Sequence, residues 1–140
     1  MSDDEIKALR AKLANRPRSD DYRQRRKDID ARGLQYSLAP DVVVEPVSAN
    51  GVRAEWTSTP QADRNAALIY LHGGGYVIGS LDSHRHLVSE TGRAAKIWAL
   101  SLDYRLAPEH AFPAAVRGCR FRISLSVVQG LPTGAHCSRR

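Results

Sequence analysis

The sharpest chemical feature of the 140-residue chain is the run His72-Gly73-Gly74-Gly75, which follows directly on the apolar stretch Ala66–Leu71. Attack on an ester carbonyl puts negative charge on the former carbonyl oxygen. Backbone N–H groups held in place before the reaction stabilise that charge well. Consecutive glycines at the end of a strand can turn their N–H groups toward one point, and they leave no Cβ to block a substrate. A histidine ahead of them can pin the loop through a backbone hydrogen bond. A tight turn or a phosphate cradle is the competing reading. Neither G-x-x-x-x-G-K-[ST] nor G-x-G-x-x-G follows, so a nucleotide site has poor support.

A second group lies downstream: Asp103-Tyr104-Arg105-Leu106-Ala107-Pro108-Glu109-His110, then Phe112-Pro113-Ala114-Ala115. It reads as a strand end, a proline-restrained loop and a helix start. Ser80, Asp82 and His84 are close in sequence and suggest a local triad. A triad is a matter of geometry rather than of sequence proximity, and a helix cap explains Ser80 better. No metal site is expected: Cys119, His136 and Cys137 lack paired ligand spacing.

These residues must be positioned by elements around them. Ala66–Leu71 is a continuous apolar run, as for a strand covered on both faces. Residues 83–95 read as a helix capped by Ser80 or Ser83, and Ile97–Leu102 as a second apolar strand. Strand, loop, helix and strand make a βαβ unit with a parallel sheet. Upstream, Val42–Val47 and Val52–Thr57 flank Asn50-Gly51, a strong hairpin signal. Pro60–Asn65 reads as a loop. Residues 2–15 predict a helix with a Ser2/Glu5 capping box and Ile6, Leu9 and Leu13 on one face, broken by Pro17. A second helix over about residues 20–32 is expected, capped by Ser19 and ended by Gly33. Its charges, Arg23, Arg25, Arg26, Lys27 and Asp28, read as a solvated face.

Composition narrows the partners. The net charge is +6, but residues 1–115 hold 16 basic and 15 acidic residues, while the last 25 residues hold five arginines and no acid. The basicity is a property of the tail, so no nucleic-acid surface is expected. No run of about 18 apolar residues exists, and no membrane span is expected. The acidic start at Asp3, Asp4 and Glu5 is unlike a signal peptide. Residues 1–115 contain no cysteine, which suits a reducing compartment. A cytoplasmic protein is the expectation.

The segment LIYLHGGGYVIGS followed by LDYRLAPEHAFPAA resembles the bacterial hormone-sensitive-lipase-like esterases over about residues 1–116. HGGG-type loops form the oxyanion hole of lipases and esterases. The resemblance implies an α/β fold of the α/β-hydrolase type, Ser-His-Asp catalysis on small carboxylic esters or lactones, and no metal or cofactor. By resemblance Gly74 and Gly75 are the oxyanion donors, and His72 and Gly73 support them. Tyr76 lies near the substrate pocket. Arg105, Glu109 and His110 brace the site structurally, through a buried ion pair and a capped helix. Residues 1–34 correspond to a helical cap segment and residues 35–116 to the N-terminal part of the hydrolase core.

The chain also departs from the family. No G-x-S-x-G nucleophile elbow occurs, so nucleophile, acid and base are all lacking. After Ala115 an acidic amphipathic helix is expected, but residues 117–140 form an atypical basic tail without helical period. With an allowed choice of codons, Ile123–Arg140 read one nucleotide later yields YRCLLSKGFRRAHIAVGG, which resembles the family's helix and the strand before the elbow. The tail therefore reads as out of frame, and the chain as a truncated, inactive esterase relative with an incomplete hydrolase fold. The alternative is a non-catalytic module that binds a partner through its helices and basic tail. On the truncated reading, Ala66–Leu71 should form an exposed sheet edge prone to aggregation.

Overall fold

The computed structural model describes residues 2–15, 18–49 and 51–119. Pro17, Asn50 and most of the basic tail, including His136 and Cys137, lie outside the described residues. Helices α1 (Asp3–Ala14) and α2 (Tyr22–Gly33) come first, then strands β1 (Val43–Ala49), β2 (Val52–Ser58) and β3 (Asp63–Leu71). Helix α3 (Leu81–Ala95), strand β4 (Ile97–Leu102) and the short helix α4 (Ala114–Cys119) complete the order.

Local signals explain most of these boundaries. Ser2 caps α1 with the reciprocal Glu5 box, and the acids of its first turn meet the positive helix end. Ser80 caps α3. β1 and β2 pair antiparallel with Ala49 opposite Val52, leaving a two-residue turn whose Gly51 has φ +85. Two expectations need correction. Asp21, not Ser19, caps α2: its carboxylate accepts from the Arg23 N–H, while the Ser19 hydroxyl accepts from the Asp21 N–H one step earlier. β3 begins at Asp63 rather than Ala66, because the Asp63 N–H donates to the Lys96 carbonyl and draws the supposed loop into the sheet.

The four strands lie in the order β1-β2-β4-β3. β2 runs antiparallel to β4, and β3 runs parallel to β4 through the expected β3–α3–β4 crossover. One face of the centre carries Ala54, Trp56, Trp98, Leu100 and Leu102, with the two indoles edge to face at 5.8 Å. The other face carries Thr57, Ala99 and Ser101 beneath α3. A Cβ on Gly92 would come within 3.3 Å of the Ala99 Cβ, so glycine there lets α3 lie close on β4. Arg85 on α3 pairs with the buried Glu55 of β2 through two bonds of 2.9 Å, satisfying a carboxylate that could not otherwise be buried. Among the described residues β3 has a partner on one side only and forms an edge of the sheet.

Candidate active site

The glycine loop leaves the C-terminal end of β3 in a tight turn. The Gly74 carbonyl accepts from the Val77 and Ile78 N–H groups at 3.2 and 3.1 Å. Gly74 has φ +130, and a Cβ there would sit 2.0 Å from the Ile78 carbonyl oxygen, so only glycine allows the turn to close. Gly79 closes the far end of the loop. A Cβ on it would strike the Gly73 carbonyl and the His72 ring.

His72 is buried beneath the loop. Its Nδ1 lies 3.0 Å from the Gly73 carbonyl, and its ring stacks on Tyr104 at 4.3 Å. The Tyr104 hydroxyl donates to the His72 carbonyl at 2.5 Å, so β4's exit segment grips the root of the loop. The His84 ring lies 5.6 Å from that of His72. Burial, then the neighbouring His72, holds the His84 pKa below its ordinary value.

Among the described residues, no hydrogen bond uses the N–H groups of Gly74 or Gly75. Both glycines line an open cleft of about 370 Å³, together with Leu71, His72, Gly73, Tyr76, Tyr104, Ala115 and Val116. Tyr76 stands at the cleft in a left-handed conformation, φ +61, with its ring edge-on to Tyr104. The cleft thus offers unspent backbone donors beside apolar and aromatic walls. That composition suits a neutral, weakly polar ligand with one oxygen that gains charge.

The expected buried ion pair within Arg105–His110 is not formed. Glu109 is partly exposed and pairs with Arg26 of α2 at 2.9 Å, whereas Arg105 is exposed. His110 is exposed as well, its N–H donating to the Leu106 carbonyl. The local Ser80/Asp82/His84 triad is not assembled either. Ser80 donates to Asp30 at 2.5 Å, Asp82 pairs with Arg85, and His84 Nδ1 faces Ser83. Among the described residues, no group of three His, Cys, Asp or Glu side chains could hold a metal ion.

Residues 68–127 match the family described as alpha/beta hydrolase fold. The chain has the α/β-hydrolase fold and is similar to hormone-sensitive-lipase-like esterases. It is 37% identical to an acetyl-hydrolase of Streptomyces hygroscopicus, over 81% of this chain and 40% of that protein. It is 33% identical to the esterase LipI of Mycobacterium tuberculosis, over 98% of this chain and 40% of the relative. A crystal structure of a hormone-sensitive lipase from a metagenome library superposes with a TM-score of 0.79 at 30% identity, covering 90% of this chain and 43% of that one. The chain therefore spans about 40% of the length of the curated relatives it matches.

Within this hydrolase-fold chain, the residues that sequence reasoning missed lie on helix α2. Arg26 was expected on a solvated face, yet its side chain turns inward. Its Nε donates to the Val77 carbonyl at 2.7 Å, and its Nη2 donates to the Ala107 carbonyl at 2.8 Å. Nη1 and Nη2 both donate to Glu109. The Tyr22 hydroxyl donates to the same carboxylate at 3.2 Å. Hydrogen bonding to Arg26 pulls the Glu109 pKa down to about 2. The available signal was the i, i+4 spacing of Tyr22 and Arg26 on one helix face, the side that meets the loops.

Proposed function

We propose that the loop His72–Tyr76 is the oxyanion hole of a carboxylic ester or lactone hydrolase, with Gly74 and Gly75 as its donors. Two N–H groups left unspent at the C-terminal end of a strand, on an open and largely apolar cleft, carry this reading. His72 and Gly73 hold the donors from below, and Tyr76 forms one wall for the acyl or alcohol group. A small ester is the substrate and no cofactor takes part. The fold reads as a cap over residues 1–34 and the first part of a hydrolase core over residues 35–116, with an out-of-frame tail over residues 117–140. The reducing cytoplasm suits the cysteine-free first 115 residues. The partner-binding reading of the helices has no such support, since the central arginine of α2 is spent inside the molecule.

This chain by itself is proposed to be inactive, because no G-x-S-x-G occurs in its 140 residues. A fluorophosphonate probe should label none of its serines, and a stoichiometric adduct would overturn that statement. The hydrolase reading is tested in a chimera, with residues 1–116 replacing the matching part of the Streptomyces hygroscopicus acetyl-hydrolase. It should hydrolyse p-nitrophenyl acetate. Gly74→Pro in that chimera deletes a donor and cannot hold φ +130, so it also breaks the turn and should lower kcat by at least about 10²–10³-fold. A folded but inert chimera, or a Gly74→Pro variant with unchanged turnover, would remove the loop from the mechanism.

A further inference from the structure

We propose that Arg26 is a positioning residue, a strut by which cap helix α2 sets the shape of the oxyanion loop. The guanidinium stands where two loops meet. The glycine loop offers it the Val77 carbonyl, and the segment after β4 offers the Ala107 carbonyl. Those two loops are already joined by a bond of 2.8 Å from the Ala107 N–H to the Tyr76 carbonyl. Val77 in turn donates to the Gly74 carbonyl, so the strut acts one hydrogen bond away from a proposed oxyanion donor.

The rest of the arrangement holds the strut itself. Glu109 grips the far side of the guanidinium with both oxygens at 2.9 Å, and the Tyr22 ring lies under it at 4.9 Å. A planar fork can reach two carbonyls and a carboxylate at once, whereas an ammonium group on a flexible stem cannot. Glycine-rich loops lack side chains to fix themselves, and the described bonds within the loop are those of a single turn. Arg26 adds a restraint from α2 to those that Tyr104 and Ala107 supply from the segment after β4. Seating of α2 and the geometry of the loop are thereby linked: a cap that lifts releases both loops together. The name oxyanion loop rests on the hydrolase reading above, whereas the strut rests on these contacts alone.

Peptide-level hydrogen exchange on the full 140-residue chain tests the strut. Arg26→Gln should speed exchange of the Val77, Ile78 and Ala107 amides by roughly tenfold or more, the order expected for losing one charged hydrogen bond. Arg26→Lys should not restore protection, and Glu109→Gln should give an intermediate rise in the same two loops. Arg23→Gln, a neighbour that reaches neither loop, should change nothing there. Exchange of β2 and β4 should stay as in the parent. Unchanged loops in Arg26→Gln, or equal acceleration in β2 and β4, would overturn the proposal. In the esterase chimera, Arg26→Gln should lower kcat about tenfold with KM within about twofold and little change in Tm. An unchanged kcat there would show that the strut does not act on the hole. An inert parent chimera would sink the hydrolase reading alone, while the exchange result would still judge the strut.

Discussion

Strands β3 and β4 are hydrogen-bonded neighbours, paired from Ala67–Trp98 to Leu71–Leu102. Both are rich in apolar residues, yet five of the six residues of β4 are buried and none of the nine in β3 is. β4 has β2 on one side and β3 on the other, α3 over one face and Trp56 packed on the opposite face. Among the described residues β3 has β4 alone, and Ile69 and Leu71 stay 39% and 49% exposed. Burial is thus conferred by neighbours. A strand written for the centre of a sheet remains an edge when only one partner is present, and such an edge is a template for further pairing.

The sharpest way to test this contrast is a pair of truncations. Trp98→Ala empties a site that is only 4% exposed and should cost about 3–5 kcal/mol in urea unfolding. Ile69→Ala, on the neighbouring strand, should cost roughly 1 kcal/mol or less, since much of its side chain is already in water. Equal costs would mean that β3 is covered in solution by another molecule.

A charge on the edge probes that possibility directly. Ile69→Lys should shift the chain toward monomer in size-exclusion chromatography while changing its unfolding midpoint little. A parent chain that already runs as a monodisperse monomer with a sharp melting transition would show that the edge is not a template.

The smallest effect concerns the loops at the ends of these strands. The folded Glu109 pKa is about 2 against an ordinary value of 4.5, so the folded state binds fewer protons. The stabilisation from this group is fully present above pH 4.5 and is lost as the pH falls through about 2. Denaturant midpoints measured from pH 6 to 2 should therefore fall, and Arg26→Gln should flatten part of that slope. Parallel slopes in the two proteins would dissociate Glu109 from Arg26. Trp98, far from this pair, should leave the slope unchanged when replaced.

Much of the site was legible because it is local. His72 to Gly75 is contiguous, Ser2 and Ser80 cap the helices that follow them, and Gly51 marks a two-residue hairpin turn. Each of these depends on residues within a few positions, where dihedral freedom and short-range hydrogen bonding decide the outcome. The misread features were longer in range or finely balanced. Ser19 and Asp21 are both good capping residues, and the chain path chose Asp21. The start of β3 shifted to Asp63 because Lys96, at the end of α3, offered a carbonyl.

The sequence by itself determined the glycine loop, the caps of α1 and α3, the hairpin and the β3–α3–β4 unit, since local spacing and apolar periodicity settle such features. Only the tertiary structure decided which arginine of α2 turns inward. Arg23, Arg25 and Arg26 are alike as residues, and the phase of α2 against the loops selects Arg26, 83 positions from its carboxylate partner. Tertiary structure also decided that β4 is core and β3 is edge. Both outcomes depend on which surfaces meet, and neither strand nor helix carries that information within its own residues.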